Sequence, residues 1–301
     1  MFCLDAKRFI TLKALDLKQI FHNELNAIYG KNEVESFYFF STEFYFNISR
    51  LQLALDSEFT FSKSETEQLI NVLHELKAQK PIQYILGETD FYGLKFKVNS
   101  DVLIPRPETE ELIDWIIKEN INRQTDKKLR ILDIGTGSGC IAITLAKHIE
   151  NAAVYALDVS KQALDVARTN AEVNQVNIQF LECDILDESS WRSQIGDLKF
   201  DIIVSNPPYV RQKEKQEMKP NVLDNEPSLA LFVEDENPLK FYNTIAALAV
   251  DKLNAGGQLF FEINQYLGKE MMKLLDGYKF EGVVLRKDLN GNDRMIKGHV
   301  N

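Results

Sequence analysis

The sequence predicts an α/β fold: a doubly wound, mainly parallel sheet preceded by a small helical domain. Three observations carry that prediction. From about residue 129 onward, short apolar runs alternate with stretches of helical spacing, the βαβ rhythm that calls for parallel strands and right-handed crossovers. A loop with glycines at alternate positions, Gly135, Gly137 and Gly139, joins the first such run to the first helical stretch. Residues 1 to about 85 contain a single glycine, Gly30, and place apolar residues at helical spacing, as in Leu69, Ile70, Leu73 and Leu76.

The elements follow in order. The N-terminal segment reads as a helical bundle, with Ser64 and Glu67 as a capping box opening one helix. Its aromatic run, Phe37, Tyr38, Phe39, Phe40, Phe44, Tyr45 and Phe46, reads as core, because a small bundle needs large side chains to bury enough area. Residues 88–104 alternate around Gly93 as a β-hairpin does. Pro105-Arg106-Pro107 closes it, and Pro107 suits the first turn of a helix carrying Leu112, Ile113, Trp115 and Ile116. Strands are then expected at Arg130–Ile134, Ala153–Leu157, Asn177–Leu181, Phe200–Ser205 and Gln258–Ile263. Helices are expected at Cys140–Ile149 and Lys161–Val173, near Trp191, and at Leu239–Leu253. The tail offers two strands, Gly282–Arg286 and Arg294–His299, too close together for a crossover helix, so an antiparallel pair is expected.

Composition narrows the function. The net charge of -10 argues against a broad phosphate-binding face and so against a nucleic-acid substrate. Three widely spaced cysteines, Cys3, Cys140 and Cys183, read as free thiols of a reducing compartment. The four scattered histidines have no metal-ligand spacing, so no metal is expected. Asp5, Lys7 and Arg8 occupy the place of an apolar leader, and no run is long enough to span a membrane. A cytoplasmic location is therefore expected.

The chemistry-bearing residues cluster after strands. Gly135-Thr136-Gly137-Ser138-Gly139 allows a tight turn and close approach of backbone N–H groups to a ligand. No lysine follows, as a Walker loop requires, and the spacing is not that of the dinucleotide fingerprint. Asp158 ends the second strand, where a carboxylate can accept from both ribose hydroxyls; it can also cap the next helix. A nucleoside cofactor without a phosphate, S-adenosylmethionine, fits this pair. Asp184, after the third strand, is either an adenine contact or a turn residue. Trp191 either covers the adenine or fills the core, and its spacing favours core. Asn206-Pro207-Pro208-Tyr209 leaves an amide and a phenol at the carboxyl end of a strand, stiffened by two prolines. Gly256-Gly257-Gln258 reads as a turn before a strand, without function.

Together these segments resemble the HemK/PrmC family of release-factor glutamine methyltransferases. The resemblance also rests on Pro81-Ile82-Gln83-Tyr84-Ile85-Leu86-Gly87, Leu103-Ile104-Pro105-Arg106-Pro107-Glu108-Thr109-Glu110 and Asn225-Glu226-Pro227-Ser228-Leu229-Ala230-Leu231. It implies a Rossmann-like class I methyltransferase sheet over 105–301, a hairpin linker over 88–104, and a helical substrate-recognition domain over 1–87. It implies methyl transfer from S-adenosylmethionine to the glutamine amide nitrogen of the Gly-Gly-Gln tripeptide in peptide chain release factors. Gly135 to Gly139, Asp158, Trp191 and Asn206 would contact the cofactor, and Asn206, Pro207, Pro208 and Tyr209 the glutamine.

That chemistry explains the tetrapeptide. An amide nitrogen is a poor nucleophile and must be aimed at the methyl group. The Asn206 side-chain oxygen and the Pro207 carbonyl are candidate acceptors for its N–H groups, and Tyr209 packs against the planar amide. Other readings are a ribosomal-protein glutamine methyltransferase, a nucleic-acid amino-methyltransferase and a non-catalytic cofactor-binding module.

Overall fold

The computed structural model describes residues 11–120 and 128–301. Cys3, Asp5, Lys7 and Arg8 therefore lie outside the described residues. The chain forms two compact units that meet in sequence at Gly87 and Glu88.

The first unit holds α1 (Ala14–Tyr29), α2 (Lys31–Phe46), α3 (Arg50–Leu55), α4 (Lys63–Lys77) and α5 (Ile82–Leu86), with a short antiparallel pair, β1 (Leu12–Lys13) and β2 (Thr60–Phe61). Leu17, Phe21 and Leu25 of α1 pack on Leu69, Leu73 and Leu76 of α4. The aromatic run of α2 is divided by helical periodicity. Phe37 and Tyr38 are buried, and the Tyr38 hydroxyl donates to the Ala14 carbonyl at 2.8 Å. Phe40 and Phe44 are exposed, which corrects the reading of the whole run as core. The capping box opening α4 is Ser62 with Glu65 rather than Ser64 with Glu67. The segment Ser62-Lys63-Ser64-Glu65-Thr66-Glu67 offers the motif in two registers. Buried Phe61, paired in β2, pins the chain so that Ser62 falls at the cap and Thr66 turns inward.

The second unit begins with the hairpin β3 (Glu88–Phe91) and β4 (Leu94–Lys97). Tyr92 and Gly93 both take positive φ, as a two-residue hairpin turn of primed type requires. After α6 (Pro107–Asn120) come β5 (Leu129–Ile134), α7 (Cys140–His148), β6 (Ala152–Asp158), α8 (Lys161–Val173), β7 (Ile178–Glu182), α9 (Glu188–Ile195) and β8 (Phe200–Ser205). A connection carrying β9 (Val210–Arg211), α10 (Pro220–Leu223), α11 (Ser228–Leu231) and β10 (Phe232–Val233) leads to α12 (Lys240–Lys252) and β11 (Leu253–Glu262). The chain ends with α13 (Gly268–Gly277), β12 (Glu281–Lys287) and β13 (Asp293–His299).

Seven strands form one sheet in the order β12-β13-β11-β8-β5-β6-β7. All its pairings are parallel except those of β13 with β11 and β12. Strand periodicity sends alternate residues to opposite faces. Ile131, Val154, Ala156, Ile202, Val204 and Phe260 meet α6, α7 and α8 on one face. Leu132, Leu157, Ile203, Leu259 and Phe261 meet α9, α12 and α13 on the other. Burial on both faces explains why these strands read as continuous apolar runs.

Three details differ from expectation. The hairpin is docked as part of the second unit, not left as a linker. The Asn170 side chain of α8 accepts from the Lys97 N–H at 2.6 Å and donates to the Lys97 carbonyl at 2.9 Å, pairing with β4 as a neighbouring strand would. Strand β11 starts at Leu253, before Gly256-Gly257-Gln258, because a bulge with Gly256 at φ +73° absorbs the glycines within it. Helix α13 stands where no helix is expected; Met271, Leu274 and Leu275 bury its inner stripe.

Candidate active site

The register of the parallel strands assembles the site. Ile134 pairs with Leu157 of β6 and Ser205 of β8, so the loops after β5, β6 and β8 emerge side by side. The Ser205 hydroxyl donates to the Ile134 carbonyl at 2.7 Å and locks the β5 and β8 exits together. A cavity of about 270 Å³ opens above these carboxyl ends, the position at which open α/β sheets hold ligands.

The glycine loop is the floor of this cavity. The N–H groups of Gly135 and Thr136 donate to the Leu157 carbonyl at 2.8 and 3.0 Å. Gly135, Gly137 and Gly139 all take positive φ. Gly135, Thr136, Gly137 and Ser138 line the cavity, while Gly139 begins α7 behind it. A Cβ on Gly139 would lie 2.9 Å from Ile143 Cδ1 and 3.1 Å from Ala167 Cβ, so the glycine also lets α7 and α8 approach. We expect Gly139→Ala to cost about 2 kcal/mol, from left-handed backbone strain and overpacking. Chemical denaturation should show this as a lowered midpoint at unchanged slope.

Beneath the loop lies Asp133, fully buried. Its Oδ2 accepts from the Thr136 hydroxyl at 2.6 Å and the Ala142 N–H at 3.2 Å, while Oδ1 has no partner. Burial pushes its pKa up to about 7 against those two hydrogen bonds. The raised value sets the sign of the linkage. The folded state holds this proton more tightly than the unfolded chain, so the associated stability is present in full below the ordinary carboxylate range. It is lost as pH rises through about 7. Stability measured across that window should therefore decline in the wild type and decline less steeply in Asp133→Asn.

Asp158 lines the cavity at the end of β6. It accepts from the Gly137 N–H at 2.8 Å and the Ser160 N–H at 2.9 Å, and burial raises its pKa. The helix cap of α8 is Ser160, which leaves Asp158 to the loop. Asp184 is exposed at the rim, and its carboxylate accepts from the Leu186 N–H at 2.9 Å. Trp191 is not among the residues lining the cavity. Its side chain is 5% exposed and packs in the core with Cys183 and Ile185, which do line it. Cys140 and Cys183 are free and buried.

Asn206, Pro207 and Pro208 form the far wall. Asn206, Pro207 and Tyr209 also line a smaller adjoining cavity of about 60 Å³, which holds Tyr209 outside the larger one. The Tyr209 hydroxyl donates to Glu262 Oε1 at 2.9 Å. Burial and the Glu262 carboxylate hold this phenol well above its usual pKa, so it stays protonated. Asn206 Nδ2 donates to the Thr109 hydroxyl at 3.2 Å, and Thr109 donates to Glu262 Oε2 at 2.6 Å.

Sequence reasoning assigned no role to Thr109, Glu262, Arg106 or Glu226. Glu226 is buried, accepting from Arg106 at 2.5 Å and from the Ile104 N–H at 3.3 Å. The Ile-Pro-Arg-Pro and Glu-Pro-Ser segments are thus one structure, and Arg106 lines both cavities. The only available signal was that two unusual proline-rich segments each carry one charge of opposite sign. Among the described residues there is no cluster of metal-ligating side chains and no helix long and apolar enough to cross a membrane.

Comparison with known proteins agrees with this architecture. Residues 116–228 match the methyltransferase small domain family and residues 40–87 the PrmC N-terminal domain. The chain is 53% identical to the release factor glutamine methyltransferase of Flavobacterium psychrophilum, over 92% of this chain and 95% of that one. It is 42% identical to the protein of the same name from Bacteroides thetaiotaomicron, over 90% and 95% of the two chains. Among solved structures, a human methyltransferase 10 domain containing protein superposes with a TM-score of 0.50 at 16% identity, covering 69% of this chain and 88% of that one. A T. thermophilus 16S rRNA N2 G1207 methyltransferase in complex with AdoMet and guanosine gives 0.50 at 17% identity, over 71% and 50% of the two chains. These two share the fold.

Proposed function

This chain belongs to the release factor glutamine methyltransferase family, and from that premise we propose that it methylates the glutamine side-chain nitrogen of the Gly-Gly-Gln tripeptide in peptide chain release factors. The observation that carries the reading is the side-by-side exit of the glycine loop and Asn206-Pro207-Pro208-Tyr209 around one cavity. The methyl donor is S-adenosylmethionine, which when bound supplies a methyl group on a sulfonium and is released as S-adenosylhomocysteine.

The residues present fit such a group. Asp133 offers a buried carboxylate oxygen without a partner, suited to a cationic amino group nearby. Gly135, at φ +74°, adopts a backbone conformation that a side chain would strain, and keeps its backbone open on the cavity it lines. Asp158 has acceptor capacity left that would serve ribose hydroxyls, and Asp184 at the rim would accept from an adenine amino group.

On the acceptor side, Asn206 Oδ1 and the Pro207 carbonyl accept the two amide N–H groups. Their prolines keep both acceptors fixed, so orientation costs little at the moment of transfer. The Tyr209 ring packs against the amide plane, and its protonated hydroxyl serves as an anchor rather than as a base. The nitrogen becomes acidic once methylated and loses its proton afterwards, which needs no buried base. The N-terminal unit contributes to holding the release factor; the exposed Phe40 and Phe44 of α2 suit a protein surface. The substrate places the reaction in the cytoplasm.

Incubation with labelled cofactor and purified release factor should put the label on the tripeptide glutamine, located by mass spectrometry. A label found only on ribosomal protein or nucleic acid would overturn this reading.

A further inference from the structure

We propose that Thr109 and Glu262 are positioning residues that fix which end of the Asn206 side-chain amide faces the acceptor, a role that rests on the proposed function. The two ends of an amide are nearly equal in size but opposite in hydrogen bonding. Only the oxygen can receive a substrate N–H; the nitrogen would meet that N–H with another. Something must therefore set the orientation of Asn206.

The buried network sets it. Thr109 carries one hydroxyl proton and gives it to Glu262 Oε2 at 2.6 Å. Its oxygen is then an acceptor and takes Asn206 Nδ2 at 3.2 Å. Glu262 takes a second proton donor, the Tyr209 hydroxyl, on Oε1 at 2.9 Å. Hydrogen-bond polarity thus runs one way, from Asn206 through Thr109 to the carboxylate. Turning the amide over would set Asn206 Oδ1 against a hydroxyl oxygen with no proton to offer. Thr109 is 2% and Glu262 1% exposed, so bulk water has little access to relieve that clash. With Nδ2 committed inward, Oδ1 is left for the cavity that Asn206 lines.

Fold topology explains why these residues meet. Glu262 ends β11, which runs parallel to β8 with Phe261 beside Ser205, so the two strand exits are neighbours. Thr109 comes from the first turn of α6. Arg294 on β13 brings its guanidinium within 3.5 Å of the Tyr209 hydroxyl, a cation close to the buried carboxylate. One carboxylate therefore orients both the amide and the ring of the tetrapeptide.

Three variants test this: Thr109→Val removes the hydroxyl at constant shape, Thr109→Ser keeps it, and Glu262→Gln places an N–H where only acceptors stood. We expect Thr109→Val and Glu262→Gln to lose about tenfold or more in kcat with release factor, while cofactor affinity stays within about threefold. Thr109→Ser should recover most of the loss. The side-chain ¹⁵N signal of Asn206, assigned by its absence in Asn206→Asp, should move in Thr109→Val and Glu262→Gln and stay in Thr109→Ser. The proposal is overturned if Thr109→Val keeps wild-type kcat, if Thr109→Ser falls as far as Thr109→Val, or if the Asn206 signal ignores all three changes. Wild-type protein that leaves release factor unmethylated yet shows the same ¹⁵N pattern would sink the proposed function and leave the orientation of Asn206 standing.

Discussion

Asn206→Ala is expected to lower the rate of methyl transfer to release factor by about 10²-fold or more. The substitution removes the acceptor proposed to hold one amide N–H of the substrate and leaves the Thr109 hydroxyl without its donor. The glycine loop, Asp133 and Asp158 are untouched, so cofactor affinity should change by less than about fivefold. Single-turnover kinetics with saturating cofactor, beside a direct binding measurement, separate the two quantities. A variant that methylates release factor at near wild-type rate would remove Asn206 from the mechanism. A variant that fails only by losing the cofactor would make it a binding residue instead.

The second large effect is on stability. Arg106→Ala should cost about 3 kcal/mol, because the Glu226 carboxylate it leaves behind is 1% exposed and a buried charge without its partner is strongly destabilising. Arg106 itself is 33% exposed, so the loss comes mainly from the carboxylate and not from the guanidinium. The double variant Arg106→Ala with Glu226→Ala should therefore lose less than the sum of the single losses. Equilibrium denaturation of the three proteins closes this cycle, and strict additivity would mean that the pair is not coupled. Activity should fall too, since Arg106 walls both cavities.

Much of the second unit was legible from sequence because its signals are local. A strand buried on both faces is a continuous apolar run, and α8 falls at Lys161–Val173 because Ser160 caps it and its apolar stripe is regular. The glycine loop was readable because positive φ at Gly135, Gly137 and Gly139 demands glycine. Other features had no local signature. Both Ser62 and Ser64 satisfy the capping-box pattern, and only the β2 pairing of Phe61 decides between them. Helix α13 has a narrow apolar stripe between glycines and was missed. Asn170 looks like any polar residue on a helix, yet it docks the hairpin through both atoms of its amide. For Trp191, spacing alone pointed to the core, and the structure buries it there.

The sequence by itself determined the order of the main strands and helices in the sheet unit, α13 and the short elements between β8 and α12 excepted, and the residue types at the strand exits. Periodicity, glycine conformation and proline stiffness act over a few residues and need no partner elsewhere. Tertiary structure alone decided which distant side chains complete the site. Thr109 and Glu262 are 153 positions apart, and Arg106 and Glu226 are 120 apart. The reason is physical: a buried carboxylate is tolerated only where donors converge on it, and that convergence is a property of strand register and helix placement, not of the residues' neighbours along the chain.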